Sequence, residues 1–368
     1  STAAVGIAPS NTALPGITTP TTTAGIIVGS TATATAGTWS GTPTPTLSYN
    51  WYRCVGSAST ATLTAPTDCS LISGASGATY NFTQSDVGSY IRGIEIAQSA
   101  SGINYAYTAS VGPIQESRVL ASGAGFNCVI KLGFVYCWGN NGYGQLGNGT
   151  TTNVTTIPST PVAFSDGSYL KNVVSIDAEA NQACAITTAG AMYCWGYNGH
   201  GELGDGTTTN RSYPTQVSGL SSGVVGLGMG LYHTCAIKTS GTLWCWGANN
   251  YAALGDNTTT QRTSPVQVLA ASATNITGVT QVSAGYYYTC AIKNGGAFCW
   301  GYNGYNNLGD GSSTQRNYPT QVSGLTSGIT DIAAGYIQAC AVKNGAAYCW
   351  GYNANNQLGD GTATQRAT

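Results

Sequence analysis

The amino-acid sequence predicts an all-β protein in which a β-sandwich is followed by a five-repeat β-propeller. Tryptophan–glycine pairs recur along the C-terminal two thirds of the chain, about 50 to 57 residues apart, which suits the four-stranded blade of a propeller. These pairs begin at Trp138, Trp195, Trp246, Trp300 and Trp350. The N-terminal third instead has short alternating segments joined by turn-rich connections, a pattern typical of a sandwich.

The composition argues against nucleic-acid binding and membrane insertion. Only 7% of the 368 residues are charged and the formal net charge is −1, so the chain lacks the basic surface that nucleic acid or anionic lipid attracts. Its apolar runs are far shorter than the ~20 residues of a membrane-spanning helix. The sequence begins at Ser1 without a methionine. We expect an extracellular or cell-surface protein from which a secretion signal has been removed.

Twelve cysteines fall into close pairs, and their spacing predicts one disulfide in each repeat. Cys290 and Cys299 are centred on Asn294-Gly295, the strongest signal for a two-residue hairpin turn, because both turn positions need a positive φ. Counted outward from this turn, the cysteines lie opposite each other at a non-hydrogen-bonded position, within reach of a disulfide. The alternatives are buried free thiols and zinc, but zinc prefers clustered tetrads of Cys and His. The predicted pairs are Cys128–Cys137, Cys184–Cys194, Cys235–Cys245, Cys290–Cys299 and Cys340–Cys349.

Two of these pairs are one residue further apart than the others. Their loops end in Gly190 and Gly241, which suits a type I turn followed by a glycine in the left-handed region. The longer loops therefore have their glycine at a different position, and the cysteines are still expected to lie opposite each other.

Each Trp-Gly pair is followed by an asparagine and then by a glycine-rich turn. Four of these turns contain an aspartate, namely Asp205, Asp256, Asp310 and Asp360. Calcium is one interpretation, but one carboxylate per repeat provides too few oxygens and too little charge, so we favour turn capping. We predict no metal site and no cofactor. We also predict no catalytic residues, because His200 and His233 are accompanied by no nucleophile motif.

Three Tyr-Asn pairs recur in the same position of the repeat and are candidate ligand-binding residues. Aromatic faces beside amide groups can hold sugars, although packing between blades with asparagine-capped turns is the favoured interpretation. The candidates are Tyr197, Asn198, Tyr302, Asn303, Tyr352 and Asn353.

The repeats resemble the regulator of chromosome condensation repeat family in its cysteine-bearing bacterial extracellular form. The segment that carries the resemblance reads CAITTAGAMYCWGYNGHGELGDGTTTNRSYPTQV and recurs with variations five times over residues 118–368. His233 matches a family position two residues before a cysteine. The resemblance implies a β-propeller, usually of seven blades, whose members bind proteins through the ring surface. This chain departs from the family in having five repeats, and the blade motifs alone do not imply nucleotide exchange.

The N-terminal part resembles the immunoglobulin-like modules of bacterial surface proteins. It has the segment Trp51-Tyr52-Arg53-Cys54, then Cys69, then Ile72-Ser73-Gly74-Ala75. Trp51 is the expected core tryptophan, and the segment ending in Tyr90 is similar to the tyrosine corner of such domains. The usual strand-F cysteine is replaced by Arg92, so Cys54 and Cys69 are expected to pair with each other. The resemblance implies a spacer, stalk or adhesion module.

The predicted domain organisation has four segments. Residues 1–14 are an arm or linker, 15–112 the immunoglobulin-like domain, 113–117 a linker or closing strand, and 118–368 the propeller. The fifth repeat lacks the Pro-x-x-Val segment of the others, so we expect residues 111–118 to pair beside it and close the ring. The alternatives are that Val111–Ile114 completes the last immunoglobulin strand, that a neighbouring molecule donates the missing strand, or that further residues of the chain supply it.

These observations favour an extracellular structural or adhesive protein that is not an enzyme, including a repeating subunit of a cell-surface fibre. The alternative is a secreted propeller that binds a protein or glycan ligand. The expected partners are accordingly further copies of the chain or that ligand, and neither nucleic acid nor a membrane.

Overall fold

The computed structural model describes residues 6–19, 30–83, 86, 89–112 and 120–368, and the chain divides into two compact units. Unit 1 comprises Ser1–Ser117 and unit 2 comprises Arg118–Thr368. Every regular element in the described ranges is a β-strand. No helix in these ranges is long and apolar enough to cross a membrane.

Unit 1 contains three antiparallel sheets, with strand orders β1-β4, β2-β3-β7 and β6-β5-β8-β9 among its described residues. The strands are β1 (Ile7–Ala13), β2 (Gly16–Thr18), β3 (Thr31–Thr35), β4 (Thr38–Thr42), β5 (Thr46–Cys54), β6 (Cys69–Ser76), β7 (Thr79–Asn81), β8 (Tyr90–Ser99) and β9 (Gly102–Val111).

The assignment of residues 1–14 to an arm or linker is wrong for most of its described part. Residues 7–13 form β1, which pairs with β4 through Ile7↔Thr42 and Asn11↔Trp39. The register shifts between residues 7 and 10, where Pro9 has no N–H group to donate to the ladder. The backbone of this segment therefore finds partners in a sheet, even though its side chains give little alternating pattern.

The interior of unit 1 is organised around Trp51, which is completely buried and donates its indole N–H to the Gly77 carbonyl at 3.0 Å. Cys54 and Cys69 form a disulfide between β5 and β6. The buried carboxylate of Asp86 accepts hydrogen bonds from Arg53 and from the hydroxyl of Tyr80. The tyrosine bound to Asp86 is thus Tyr80, which the sequence analysis did not single out.

Residues 120–368, all of which the structure describes, form five antiparallel sheets, numbered 1 to 5 in chain order. Sheet 1 contains β10 (Leu120–Ser122), β11 (Phe126–Lys131) and β12 (Phe134–Gly139). Sheet 2 contains β13 (Val173–Glu179), β14 (Gln182–Thr187), β15 (Met192–Gly196) and β16 (Arg211–Gln216). Sheet 3 contains β17 (Val224–Met229), β18 (His233–Lys238), β19 (Leu243–Gly247) and β20 (Arg262–Gln267). Sheet 4 contains β21 (Val279–Ala284), β22 (Tyr288–Lys293), β23 (Gly296–Gly301) and β24 (Arg316–Gln321). Sheet 5 contains β25 (Ile329–Ala334), β26 (Gln338–Lys343) and β27 (Ala346–Gly351).

The second and third strands of each sheet form a hairpin whose cysteines lie opposite each other. In sheet 4, Cys290 pairs with Cys299 in the strand register, and Asn294 and Gly295 have φ values of 50° and 77°. In the wider loops of sheets 2 and 3, Gly190 and Gly241 both have a φ of 72°. The five disulfides join Cα atoms 4.0 to 4.1 Å apart and are Cys128–Cys137, Cys184–Cys194, Cys235–Cys245, Cys290–Cys299 and Cys340–Cys349.

The tryptophans of the Trp-Gly pairs in sheets 2 to 5 each form a hydrogen bond to the preceding repeat. The indole N–H of Trp246, in sheet 3, donates to the Glu202 carbonyl in the loop of sheet 2 at 2.7 Å. Trp195, Trp300 and Trp350 make the equivalent bond to the preceding repeat. All four side chains are at most 1% exposed. The tryptophan of the repeat therefore stabilises the contact between sheets.

The proposed closing strand falls largely on residues 113–119, which lie outside the described residues. Val111 belongs to β9, where it pairs with Ile91, so this residue completes a strand of unit 1 and does not pair with sheet 5. On the outer edge of sheet 5, Arg366 forms a bridge with Gly351. This bridge takes the place that Arg316, the first residue of β24, occupies in sheet 4, where it pairs with Gly301.

Candidate functional site

The two ends of each sheet in unit 2 carry different structures. In sheet 2, the first strand ends at Glu179, which pairs with Gln182, and Gln182 pairs on its other side with Gly196 of the Trp-Gly pair. The hairpin turn lies at the opposite end, beyond Thr187. We call these the loop end and the hairpin end of the sheets. The same register recurs in sheets 3 to 5.

The asparagine after each Trp-Gly pair organises the long loop at the loop end. In repeat three, Asn249 Oδ1 accepts the Leu254 N–H at 3.0 Å, while Nδ2 donates to the carbonyl oxygens of Thr258 and Thr260 and to the Asp256 carboxylate, all at 3.1 Å. Both polar atoms of the amide are therefore occupied. The equivalent residues Asn141, Asn198, Asn303 and Asn353 are at most 1% exposed and bind their loops in the same way.

This geometry agrees with the asparagine-capped turns that the sequence favoured over ligand binding for the Tyr-Asn pairs. The amides of Asn198, Asn303 and Asn353 are buried and hydrogen-bonded within their own loops. They do not face a ligand. Only the tyrosines of these pairs remain as surface groups.

The aspartates of the loops are bound by arginines that the sequence analysis did not identify. Asp256 accepts the Thr258 hydroxyl at 2.7 Å and forms an ion pair with Arg262 at 2.8 Å. Burial by itself raises the pKa of Asp256, but the hydrogen bonds from Thr258 and Arg262 outweigh it and hold the pKa below its usual value. The equivalent ion pairs are Asp205–Arg211, Asp310–Arg316 and Asp360–Arg366.

The sequence contained a signal for these ion pairs. Repeats two to five have an arginine six residues after the aspartate, whereas repeat one has Asn148 and Val154 at the two positions. Because the two residues are replaced together, the pair could have been found by comparing the repeats. The carboxylates are hydrogen-bonded and ion-paired within their own loops. In the described part of the chain, no group of three or more His, Cys, Asp or Glu side chains could hold a metal ion.

A continuous row of aromatic rings lies at the loop end and involves all five repeats. Each ring has its centroid 4.0 to 6.5 Å from that of at least one neighbour in the row. We call this row the tyrosine ribbon. Its members are Tyr143, Tyr197, His200, Tyr232, Tyr251, Tyr286, Tyr287, Tyr302, Tyr305, Tyr336 and Tyr352.

The ribbon contains the three tyrosines that the sequence singled out, Tyr197, Tyr302 and Tyr352, and eight side chains that it did not. Four of the missed tyrosines follow the first strand of a sheet, within two residues of the glycine that comes directly after that strand, as in Gly285-Tyr286-Tyr287. The glycine–aromatic pattern before the first cysteine of repeats three, four and five was a usable signal. That these tyrosines lie close to the loop after the Trp-Gly pair became visible only in the folded chain.

Part of the ribbon is open to solvent. Tyr336 is 58% exposed, and Tyr143, Tyr251 and Tyr305 are 37 to 42% exposed. A hydrogen bond with Tyr287 and burial are among the causes that raise the pKa of Tyr286. The ribbon tyrosines with shifted pKa values all shift upward, so they are neutral at physiological pH.

A small pocket of about 130 Å³ opens beside the ribbon where the first strands of sheets 2 to 5 end. Its larger lining side chains are Glu179, Leu231, Tyr286 and Tyr336, and the remaining lining residues are alanines and glycines. The rings of Tyr286 and Tyr336 are stacked with their centroids 4.4 Å apart. Burial raises the pKa of Glu179, while a hydrogen bond from the Ala180 N–H to its carboxylate opposes the shift.

The chain belongs to the family of RCC1-like domains, whose family model matches residues 94–368. Among curated proteins, the human probable E3 ubiquitin-protein ligase HERC4 is 31% identical over 202 residues, which cover 53% of this chain and 18% of HERC4. The chain therefore spans less than a fifth of the length of that relative.

Solved structures share the fold at lower identity. The crystal structure of human WBSCR16 superposes with a TM-score of 0.58 at 18% identity, covering 88% of this chain and 92% of WBSCR16. Yeast RCC1 (Prp20), in a crystal structure with Kap60, gives a TM-score of 0.53 at 18% identity, covering 68% of this chain and 59% of that chain.

Proposed function

We propose that this chain is an extracellular binding module whose protein ligand contacts the tyrosine ribbon. The ribbon is the observation that carries the proposal. Contiguous exposed apolar surface marks interaction sites on soluble proteins, and tyrosine is among the residues that contribute most to protein–protein binding. A row of rings that involves every repeat offers more contact surface than any single loop.

A protein ligand is supported better than a glycan. Sugar recognition needs hydrogen-bonding groups beside the aromatic faces, and the asparagine amides next to the ribbon are occupied within their loops. Yeast RCC1, which shares the fold, was crystallised bound to another protein. We extend protein binding to this chain as a proposal.

A wider cleft of about 710 Å³ lies at the hairpin end of sheets 1 and 2 and is the competing surface. Its rings pack against each other in pairs, Phe134 with Tyr169 and Phe164 with Tyr193. The cleft involves two sheets, whereas the ribbon involves five. We therefore place the ligand at the ribbon.

Several features of the chain support a location outside the cell. All twelve cysteines are paired in six disulfides, and such bonds persist in oxidising compartments. We propose that unit 1 is an immunoglobulin-like spacer of bacterial surface type and that the five sheets of unit 2 are the five blades of the propeller. The module acts by binding and not by catalysis.

Within the described ranges, no feature favours contact between copies of the chain over contact with a different ligand. Sedimentation of the purified protein separates the two hypotheses, because a fibre subunit assembles with rising concentration and a binding module stays monomeric.

The proposal is tested by replacing exposed ribbon tyrosines. The ribbon variant carries Tyr251→Ser, Tyr305→Ser and Tyr336→Ser. This variant, a control variant and the wild type are each immobilised and incubated with surface extract of the source cells. The matched control carries Tyr169→Ser, Tyr213→Ser and Tyr348→Ser, three tyrosines of 36 to 47% exposure outside the ribbon. We expect one protein to be retained by the wild type and the control and lost from the ribbon variant.

The opposite results would exclude the proposal. Retention by the ribbon variant, or equal loss from both variants, places the ligand elsewhere. Equal melting temperatures of the three proteins ensure that a loss reflects the surface and not the fold.

A further inference from the structure

Ionised side chains are distributed unevenly between the two ends of the sheets in unit 2. All five lysines of the chain lie at the hairpin end: four next to hairpin turns and one just before the first strand of sheet 2. They are Lys131, Lys171, Lys238, Lys293 and Lys343. At the loop end, the described arginines are all paired with the aspartates of their own loops.

Two glutamates at the loop end have no ion-pair partner among the described residues. Glu179 lines the pocket beside the ribbon, with one carboxylate oxygen bound to the Ala180 N–H at 3.2 Å. Glu202 is completely buried; its Oε2 accepts the His200 N–H at 2.8 Å, and its Oε1 has no hydrogen-bond partner among the described residues. A buried carboxylate without a counter-charge is unfavourable, and a cation from outside relieves that cost.

Glu202 lies next to the ribbon, since its carboxylate accepts the backbone N–H of His200, a ribbon residue, at 2.8 Å. Its negative charge contributes, after burial, to raising the pKa of Tyr197. It contributes in the same direction at Tyr232. The ribbon therefore has aromatic faces on its surface and unpaired negative charge near them. Aromatic faces and carboxylates together favour cations, because the ring face is itself electron-rich.

The pocket has the dimensions and chemistry for one basic side chain. Its volume of about 130 Å³ is too small for a folded element and suits a single extended group. Glu179 supplies the charge, while Tyr286 and Tyr336 supply ring faces and hydroxyl groups. An arginine fits this combination best, because its planar guanidinium both stacks on aromatic rings and pairs with a carboxylate.

We propose that the protein ligand of the tyrosine ribbon inserts a basic side chain, an arginine, into the pocket formed by Glu179, Leu231, Tyr286 and Tyr336. This inference rests on the proposed function and deepens it, since it names the chemistry of the partner at one position. The ligand surface around that arginine is accordingly basic or neutral and not acidic.

The test uses a synthetic peptide probe. The peptide acetyl-Gly-Ser-Arg-Ser-Gly-amide is titrated into the full chain by NMR, alongside the same peptide with citrulline, which keeps the shape and removes the charge. We expect the arginine peptide to bind in the millimolar range and the citrulline peptide about tenfold more weakly, as the loss of one cation–π and one carboxylate contact implies.

Two variants locate the binding. Glu179→Gln and Tyr336→Ala are each expected to weaken arginine binding about tenfold, while Asp166→Asn and Tyr348→Ala, matched changes at exposed sites outside the pocket, leave it unchanged. Equal binding of both peptides, no saturable binding of the arginine peptide, or unchanged binding by Glu179→Gln and Tyr336→Ala would overturn the inference. If the probe fails while the ribbon variant still loses its ligand, the inference falls and the proposed function stands.

Discussion

The side chains that organise the loop end are short amides and carboxylates with several partners each. Asn249 binds four groups of its own loop, and Asp256 joins that network to Arg262. The sequence indicated turn capping from residue type and position, which is correct both for the aspartates and for the asparagines. It did not reveal burial of the asparagines, because an asparagine in a glycine-rich loop is usually solvated and nothing in its neighbours shows otherwise.

Replacing Asn249 with alanine is expected to be strongly destabilising. The change removes the partner of the buried Leu254 N–H and of the Thr258 and Thr260 carbonyl groups, which costs roughly 2–4 kcal/mol of unfolding free energy. Chemical denaturation measures the difference. The matched change Asn140→Ala, at an exposed asparagine in the equivalent loop of repeat one, is expected to cost less than about 1 kcal/mol, and equal costs would contradict the network.

His233 makes stability depend on pH in a defined direction. Its side chain is completely buried, and burial lowers its pKa to about 4 from the ordinary value near 6.5. Nε2 lies 2.8 Å from the Thr289 hydroxyl, which donates its own proton to the Ala253 carbonyl, so Nε2 is the protonated nitrogen of a neutral ring. The unfolded chain binds a proton at higher pH than the folded chain does, so this contribution to stability is lost as the pH falls from about 6.5 to about 4.

The variant His233→Gln isolates this contribution. Glutamine occupies the equivalent position in sheets 2 and 5 and can donate the same hydrogen bond. Asp177 has the opposite effect on the pH dependence of stability. Burial raises its pKa to about 6, so its contribution to stability is lost as the pH rises from about 3.8 to 6. Melting temperatures of both proteins should therefore diverge below pH 6.5, with the wild type falling more steeply. Parallel pH profiles would be inconsistent with a neutral buried His233.

At the scale of elements, the hairpins were the most predictable part of the molecule. Asn294-Gly295 forms a two-residue turn because both positions take positive φ. The turn then determines which residues of the two strands lie opposite each other. The strand formed by residues 7–13 was missed for the converse reason. Its pairing with β4 depends on residues some 30 positions away and on a bulge next to Pro9, neither of which leaves a local pattern.

Each hairpin disulfide is expected to contribute to stability separately. Replacing Cys290 and Cys299 together by alanine removes a nine-residue loop constraint, which the chain-entropy model values at about 2–3 kcal/mol. Calorimetry should show a lower melting temperature for unit 2. The change Cys54→Ala with Cys69→Ala removes the disulfide of unit 1 and serves as the control. An unchanged transition of unit 2 after the sheet 4 change would contradict a separate contribution of the Cys290–Cys299 disulfide.

At the scale of the whole molecule, the tyrosine ribbon is a product of repetition. Single tyrosines at similar positions in successive repeats become neighbours only when the sheets pack side by side, so Tyr143 and Tyr352 belong to one row although some 200 residues separate them. The repeat period therefore predicted the propeller, and three ribbon tyrosines were noticed. Their continuity depends on the spacing between sheets, which the buried tryptophans set and which no local pattern encodes.

Residue-selective labelling distinguishes a ligand bound at the ribbon end from one bound at the lysine-bearing hairpin end. The chain is labelled with a tyrosine-selective reagent and, separately, with a lysine-selective reagent, with and without the captured ligand, and the sites are mapped by mass spectrometry. We expect the ligand to protect Tyr251, Tyr305 and Tyr336 from labelling and to leave the labelling of Lys238 and Lys293 unchanged. Protection of the lysines with full labelling of the ribbon tyrosines would contradict this expectation.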